Sequence, residues 1–259
     1  MTPLPARSKG LAAAYCVDGR FQVAPLAPHA ERHFSMNARQ PVTRILGFAF
    51  LLQFFASLAG GLILMMGLGV PGDTSAALLR IAARPWLLRV DILDEMVAVA
   101  GVIWLGVVLY EALRAYGRLS ALTACALYFL EAVLGAVSRL AAFPLLALSS
   151  QFAATPSASL LAEADRALAS MNFGYTLLLL AFSPGAILFY WLLFKSRLVP
   201  RALSIYGIIT VIPLFIATIL SVLGFNVPFY MVVPYIPFEF AIGLWILIKG
   251  VRITPAEYA

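Results

Sequence analysis

Long apolar segments alternate with short polar segments along most of this chain. Six of the apolar segments are close to or above the length of roughly 20 residues that a helix needs to cross a bilayer core. They span 45–70, 92–113, 120–148, 171–194, 202–224 and 228–248. Because lipid offers the backbone no hydrogen-bond partners, segments of this length cross a membrane as helices. The pattern therefore predicts an all-α membrane protein, a bundle of about six transmembrane helices.

The first 43 residues differ from the rest of the chain. Residues 1–43 contain no long apolar run, and without an apolar core they are not a secretory signal peptide. We expect a polar, disordered N-terminal tail, a transmembrane domain at 44–250, and a short cytoplasmic tail at 251–259. Met36 is a candidate native start, because the polar residues 37–44 lead from it directly into the first apolar segment.

The composition agrees with a membrane protein and argues against nucleic acid as a partner. Hydrophobic residues make up 63% of the 259 residues and charged residues 12%, whereas soluble domains carry about 25% charged residues. The lipid bilayer is therefore the expected solvent for much of the surface. The formal net charge is +6, but the basic residues lie beside apolar segments, and no basic stripe with interleaved aromatic residues occurs.

Lysine and arginine in the connecting segments predict the orientation, because cytoplasmic loops carry an excess of both. One side of the bundle holds Arg39, Arg44, Arg114, Arg118, Lys195, Arg197, Arg201, Lys249 and Arg252. We expect this side, with both termini, to be cytoplasmic. On the other side, the spacing of Arg80 and Arg84 predicts an amphipathic helix within 76–90, and the Ser/Ala/Thr-rich segment 151–170 predicts a polar loop.

The inventory of reactive residues argues against an enzyme, a cofactor and a metal site. Both histidines, His29 and His33, precede the first apolar segment, so the membrane domain has no histidine for a nucleophile pair, a haem or a metal. The two cysteines, Cys16 and Cys125, have no metal-type spacing. An enzyme in the bilayer would have to use carboxylates alone, so we do not expect catalysis.

Five charged residues inside the apolar segments are the candidate binding residues. A charge at such a depth costs roughly 2.5–3.5 kcal/mol on insertion scales, so each needs a partner or a purpose. Arg139 lies two turns after Glu131, at the depth where Asp94 and Glu95 begin the second segment, and pairing with Asp94 or Glu95 would fasten the two helices together. Glu131 and Glu239 lie near the midplane. Either they are protonated and hydrogen-bonded between helices, or they line a polar cavity that carries protons or binds a cation.

Two further patterns favour the polar cavity. Prolines interrupt the later apolar segments, and Pro234 and Pro237 lie next to Glu239, where a broken helix is typical of transporter sites. The segments also repeat faintly. Glu131 and Glu239 are each followed four residues later by glycine, and Gly47-Phe48-x-x-Leu51-Leu52-x-x-Phe55 matches Gly174-Tyr175-x-x-Leu178-Leu179-x-x-Phe182. With three helices in each half, this similarity raises the hypothesis of two inverted three-helix halves.

Short motifs beside the helices resemble a known family. They are Arg44-Ile45-Leu46-Gly47, the segment from Lys195 to Leu203, and the final segment from Glu239 to Gly250. Over roughly residues 37–252 the chain is similar to a bacterial multi-pass membrane family catalogued as domain of unknown function 4386. The resemblance implies a bacterial inner-membrane location and brings neither an activity nor site residues. The long polar head departs from the family pattern.

Two main hypotheses for function remain. The first is a membrane protein that binds or transports a small solute or a lipid through a polar site containing Glu131 and Glu239, with or without coupling to protons. The second is a non-catalytic membrane component that binds a protein partner, in which the charges within the membrane are purely structural. An enzyme that works with carboxylates alone is a third and weaker possibility.

Overall fold

The computed structural model describes residues 14–17, 20–23, 40–69, 72–225, 227, 231 and 233–251, with side chains from residue 44 onward. The chain divides into two units, Met1–Pro41 and Val42–Ala259. In the first unit, β1 (Ala14–Val17) pairs antiparallel with β2 (Arg20–Val23). These eight residues lie in the tail for which the sequence predicts disorder. The rest of that tail lies outside the described residues, so the prediction for it stays a prediction.

The remaining described elements are helical. They are α1 (Gln40–Leu68), α2 (Thr74–Ala83), α3 (Pro85–Leu113), α4 (Arg118–Ser138), α5 (Ala142–Ala154), α6 (Ala158–Ser196), α7 (Arg201–Val222) and α8 (Tyr235–Lys249). A single 3₁₀ turn, Arg139–Ala141, joins α4 to α5. The long apolar segments are therefore largely helical. A chain within lipid has to form its backbone hydrogen bonds internally, and a helix does so.

The predicted all-α membrane fold is confirmed. Four helical stretches are long and apolar enough to cross a membrane: Arg44–Leu68, Pro85–Ala154, Ala158–Ser196 and Arg201–Val222. The 70-residue stretch contains two of the predicted segments, because α3 and α4 are separated only by the turn at 114–117. The sixth predicted segment forms α8, whose 15 residues cover about 22 Å, less than the bilayer core of about 30 Å.

The side opposite the predicted cytoplasmic face differs from the sequence prediction. The predicted polar loop at 151–170 is helical except for 155–157, because α5 continues to Ala154 and α6 begins at Ala158. Ser157 starts α6 by accepting a hydrogen bond from the backbone N–H of Leu160, and the alanines that follow have the highest helix propensity. Serine and alanine in this segment therefore cap and extend a helix.

The amphipathic helix predicted within 76–90 is also divided in two. It forms α2 and the start of α3, separated at Arg84 because Pro85 begins the next helix. Asp73 caps α2, and the hydrogen bonds that it accepts from the Ala76 N–H and the Ser75 hydroxyl lower the pKa of its carboxyl. The charges Arg80 and Arg84 therefore mark the end of a short capped helix.

The helices bury two hydrophobic cores. The main core joins α1, α3, α4, α6, α7 and α8. A smaller core, here called the outer cluster, contains Leu78, Ile81, Leu88, Ala142, Leu145, Leu148, Phe152, Ala164 and Met171 from α2, α3, α5 and α6. The 39 residues of α6 cover about 58 Å, so one helix is long enough to contribute to both cores. Thr74 at the start of α2 also donates a hydrogen bond to Asp165 of α6.

Candidate functional site

Arg139 lies where α4 ends, and it pairs with two carboxylates of α3. Its Nη2 lies 3.0 Å from Glu95 Oε2, and its Nε lies 3.3 Å from Asp91 Oδ2. Arg139 is 7% exposed and Asp91 is 1% exposed, so the group is shielded from solvent by protein. Two carboxyl groups therefore face one guanidinium.

The partners of Arg139 differ in part from those expected. Glu95 is a partner, as the sequence predicts, but Asp94 is replaced by Asp91, a residue that the sequence analysis did not select. Asp94 faces α1 instead, where a Cβ on Gly60 would lie 2.6 Å from its Oδ2. Asp91 lies four residues before Glu95 and three before Asp94, so the spacing makes it a neighbour of both and does not by itself select the pair.

The helix break places Arg139 beside α3. Pro144 lies in the first turn of α5 and has no N–H to donate to the carbonyl of Leu140, so one hydrogen bond of a continuous helix is missing there. The 3₁₀ turn bridges this gap, and the hydroxyl of Ser138 donates to the Gly135 carbonyl at 2.7 Å. The predicted proline interruption of the third segment therefore coincides with its buried arginine.

Glu131 is buried in α4 without a full set of partners. It is 6% exposed, and its Oε2 has no hydrogen-bond partner among the described residues. It lies 13 residues after Arg118, about 20 Å along the helix and therefore deep within a core of about 30 Å. Glu131 is also within electrostatic range of Glu95 and Glu239. The protein thus keeps a carboxyl group in its interior whose hydrogen-bonding capacity is unused.

Glu239 is brought towards Glu131, but its helix begins differently from the prediction. It is the fifth residue of α8 and is partly buried, about 15 Å from Lys249 at the other end of the helix. Pro237 lies in the first turn and Pro234 is the N-cap, so these prolines start the helix and do not interrupt one. Much of the predicted sixth segment before α8 lies outside the described residues, so a broken sixth helix stays a prediction.

Aromatic residues that the sequence analysis did not select pack near the two glutamates. Tyr190 on α6 and Tyr235 on α8 share a hydroxyl hydrogen bond of 2.8 Å, and Tyr128 on α4 is 1% exposed. Tyr190 is 0% exposed and lies 4.9 Å from the Phe238 ring, centroid to centroid. Its helix is apolar on most sides, so the sequence pattern does not show that this tyrosine faces protein.

Two helix pairs place matching residues in matching contacts. On α8, a Cβ built on Gly243 would lie 3.0 Å from the Leu51 side chain of α1. On α4, a Cβ on Gly135 would lie 3.0 Å from the Leu178 side chain of α6. Gly243 and Gly135 each follow a glutamate by four residues, and Leu51 and Leu178 are equivalent in the other repeated motif.

The glycines of the other repeated motif, Gly47 on α1 and Gly174 on α6, make close contacts as well. A Cβ on Gly47 would lie 2.7 Å from Leu247 Cα, and one on Gly174 would lie 3.0 Å from Ser138 Cα. Leu247 follows Glu239 by eight residues and Ser138 follows Glu131 by seven, so the two registers agree within one residue. The faint sequence repeat thus has a counterpart in how α1 packs on α8 and α6 packs on α4.

The arrangement suits proton binding or polar ligands better than metal binding. Within the described part of the chain, no group of three His, Cys, Asp or Glu side chains is placed to hold a metal ion. Glu239, Glu131 and Glu95 instead form a succession in which each carboxylate is within electrostatic range of the next. Each carboxyl group can gain or lose a proton, so these three positions can take up protons.

Comparison with known proteins gave one match. Neither the curated proteins nor the solved structures contain a match to this chain. A family model described as "Domain of unknown function (DUF4386)" matches residues 45–250, which include the outer cluster, all five candidate residues and every residue of the main core except Val251. This match covers most of the 259 residues. The chain therefore belongs to the DUF4386 family, and the resemblance drawn from its connecting motifs is confirmed.

Proposed function

We propose that this protein binds a small solute or a lipid at a polar site within the membrane and carries it across, using Glu131 and Glu239. The observation that carries this proposal is Glu131, which is 6% exposed and has an oxygen without a hydrogen-bond partner among the described residues. A buried polar group left unsatisfied costs about 1–3 kcal/mol. Asp91 also has oxygens without a hydrogen-bond partner, but it lies against Arg139, whereas Glu131 forms no ion pair within the described residues. The Glu131 carboxyl therefore has no cation to hold and is available for a proton or a ligand.

The repeated contacts of the helix pairs support transport. Inverted repeats are common in secondary transporters, whose substrate and coupling-ion sites lie near the midplane at the repeat interface. In this protein, the matching contacts of Gly243 and Gly135 relate two helix pairs, and each pair carries one of the two glutamates. An inverted repeat would give Glu131 and Glu239 equivalent positions from the two sides of the membrane.

The location belongs to the same proposal. The excess of lysine and arginine on one side favours cytoplasmic N- and C-termini, and the bacterial family that the motifs resemble favours the inner membrane. With this orientation, Glu239 and Glu131 lie in the middle of the bilayer, and Glu95 and Arg139 lie nearer the outer side. The succession of carboxylates would then lead from the midplane towards the outer side.

The alternative is a non-catalytic membrane component that binds a protein partner. The ion pairs of Arg139 favour it, because they fasten α3 to the end of α4 and need no ligand to explain them. If this alternative holds, Glu131 is a structural carboxyl, and replacing it by glutamine leaves the set of bound molecules unchanged.

Native mass spectrometry of the full-length protein, extracted with its own lipids, tests the proposal. The double variant Glu131→Gln and Glu239→Gln keeps the side-chain shape and removes both carboxylates, and Glu111→Gln is the control at an exposed salt bridge. We expect a specific small molecule or lipid on the wild type and the control, and its loss from the double variant. If all three proteins carry the same lipids and are equally stable, the carrier proposal fails and the partner-binding alternative stands.

A further inference from the structure

A basic cavity lies on the predicted cytoplasmic side, away from the two glutamates. Its volume is about 610 Å³, and its lining includes Arg197, Arg201, Lys249 and Trp245. Among the residues that the structure describes, none that lines it is acidic. In the sequence, these cations predict only the orientation of the bundle.

Orientation alone does not require the cations to converge. The positive-inside tendency needs lysine and arginine on one side of the membrane, in any arrangement. Here Arg197 follows the end of α6, Arg201 is the first residue of α7 and Lys249 is the last residue of α8, and all three line one concavity. Lys195 makes a useful contrast, because its Nζ donates to the Tyr116 carbonyl at 3.0 Å and it does not line the cavity.

The turn that builds the cavity wall is anchored in the main core. Leu198 and Val199 are 4% and 2% exposed, and they hold the turn against the helices while the arginines on both sides remain exposed. Arg197 adopts φ 56° and is the one non-glycine residue in the described chain with a positive φ. Such a conformation is uncommon for a residue with a Cβ and is found where surrounding packing enforces it.

The second arginine is also held in place, and the helix that it begins adds positive charge. The Arg201 guanidinium lies 5.3 Å from the centre of the Phe194 ring, a cation–π contact. Pro200 is the N-cap of α7, and no side chain caps that helix end. An uncapped N-terminus presents free N–H groups and the positive end of the helix dipole, both of which favour an anion.

We propose that this cavity binds a phosphate group, as presented by the headgroup of an anionic phospholipid. Basic pockets between transmembrane helices on the cytoplasmic side favour such headgroups, and guanidinium groups hold phosphate oxygens through paired hydrogen bonds. Trp245 on the wall is a residue type that favours the headgroup level of a bilayer. This site is separate from Glu131 and Glu239, so it stands or falls independently of the transport proposal.

The test uses the full-length protein, delipidated in detergent and titrated with phosphatidylglycerol or phosphatidylcholine under native mass spectrometry. The cavity variant combines Arg197→Gln, Arg201→Gln and Lys249→Gln. The control combines Arg44→Gln, Arg114→Gln and Arg118→Gln, which removes the same charge from exposed positions on the same side, outside the cavity. We expect wild type and control to prefer phosphatidylglycerol, and the cavity variant to lose affinity on the order of a hundredfold.

A second arm of the experiment separates the two sources of phosphate. If the cavity binds the phosphate of a lipid headgroup, inorganic phosphate at millimolar concentration should leave the bound lipid in place. Displacement of the lipid by inorganic phosphate would assign the cavity to a free phosphate group instead. Equal lipid loss in the cavity variant and the control, or no preference for phosphatidylglycerol in the wild type, overturns the proposal.

Single substitutions replace the triple variant if that variant fails to fold. If the triple variant is not monodisperse, Lys249→Gln alone is compared with Arg118→Gln alone, since both residues are exposed and lie at helix ends. We expect about a fivefold loss of phosphatidylglycerol affinity for Lys249→Gln and little change for Arg118→Gln. Equal affinities in the two single variants contradict the proposal.

Discussion

Arg139 and Glu131 lie two turns apart on the same stretch of chain, and the protein treats their charges differently. Both are buried, at 7% and 6% exposure. Arg139 lies within ion-pair distance of two carboxylates, whereas Glu131 forms no ion pair within the described chain, and one of its oxygens has no hydrogen-bond partner there. Burial alone therefore does not tell a structural charge from an available one, and the partners do.

The difference follows from the chemistry of the two groups. A guanidinium is never deprotonated in a protein, so burial in lipid obliges it to find anions. A carboxyl can take up a proton and become neutral, so it can be buried with a free oxygen at a much smaller cost. The pairing of Arg139 is thus obligatory for the fold, whereas the incomplete bonding of Glu131 leaves it open to a proton or a ligand.

The largest expected effect comes from removing the arginine. Arg139→Leu leaves Asp91, which is 1% exposed, without a counter-charge, and breaking a buried pair in this way costs about 3–5 kcal/mol. We expect the variant to be poorly folded or to melt at a much lower temperature in detergent, as followed by tryptophan fluorescence. The control Arg114→Leu breaks the exposed pair with Glu111 and should change stability little. Equal melting temperatures for Arg139→Leu and wild type would show that the pairs are not structural.

The partners of the buried charges could be predicted from the sequence only in part, for a physical reason. The cost of charge in lipid identified Arg139, Glu131 and Glu239, and depth along the helix identified Glu95 as a partner. The choice of Asp91 over Asp94 depends on the rotation of α3 about its axis. A helix that is apolar on all sides carries no periodicity to report that rotation.

Some features of the fold could likewise be predicted from the sequence pattern, and others could not. Segment length predicted the helices, because a bilayer sets a minimum length. The outer cluster was missed because the Ser/Ala/Thr-rich residues of 151–170 favour a loop by composition but extend α5 and α6 in the structure. The internal repeat was visible in the motifs, but only the contacts of Gly47 and Gly174 show that these motifs occupy matching places.

The next largest effect is expected at Gly47 and Gly174, whose close contacts hold together the two matching helix pairs. A Cβ on Gly47 would lie 2.7 Å from Leu247 Cα, so Gly47→Leu must separate the backbones of α1 and α8. Overpacking of this kind costs about 1–3 kcal/mol, and we expect Gly174→Leu to cost a similar amount between α6 and α4. Gly61→Leu on the same helix is the control, since nothing lies within 4 Å of its Cβ position. Thermal unfolding that ranks Gly61→Leu with Gly47→Leu would contradict the close contact.

A smaller effect is expected near the glutamates. Tyr190→Phe removes the hydroxyl that lies 2.8 Å from the Tyr235 hydroxyl, and one neutral hydrogen bond contributes about 1 kcal/mol. We therefore expect a modest fall in melting temperature with the fold preserved. The double variant Tyr190→Phe and Tyr235→Phe completes a mutant cycle that isolates the pair. An effect of Tyr190→Phe that persists in full when Tyr235 is already Phe would show that the two hydroxyls are not coupled.

The smallest expected effect on stability separates Glu131 from Glu95 most directly. Glu131→Gln keeps the shape and removes a carboxyl that holds no cation, so we expect stability within about 0.5 kcal/mol of wild type. Glu95→Gln removes an anion 3.0 Å from Arg139 Nη2, and an interaction with a charged group contributes about 1.5–3 kcal/mol. Thermal unfolding of both variants in the same detergent makes the comparison. If Glu131→Gln is as destabilising as Glu95→Gln, then Glu131 is structural in the same sense as the arginine pairs, and its free oxygen is no sign of a binding site.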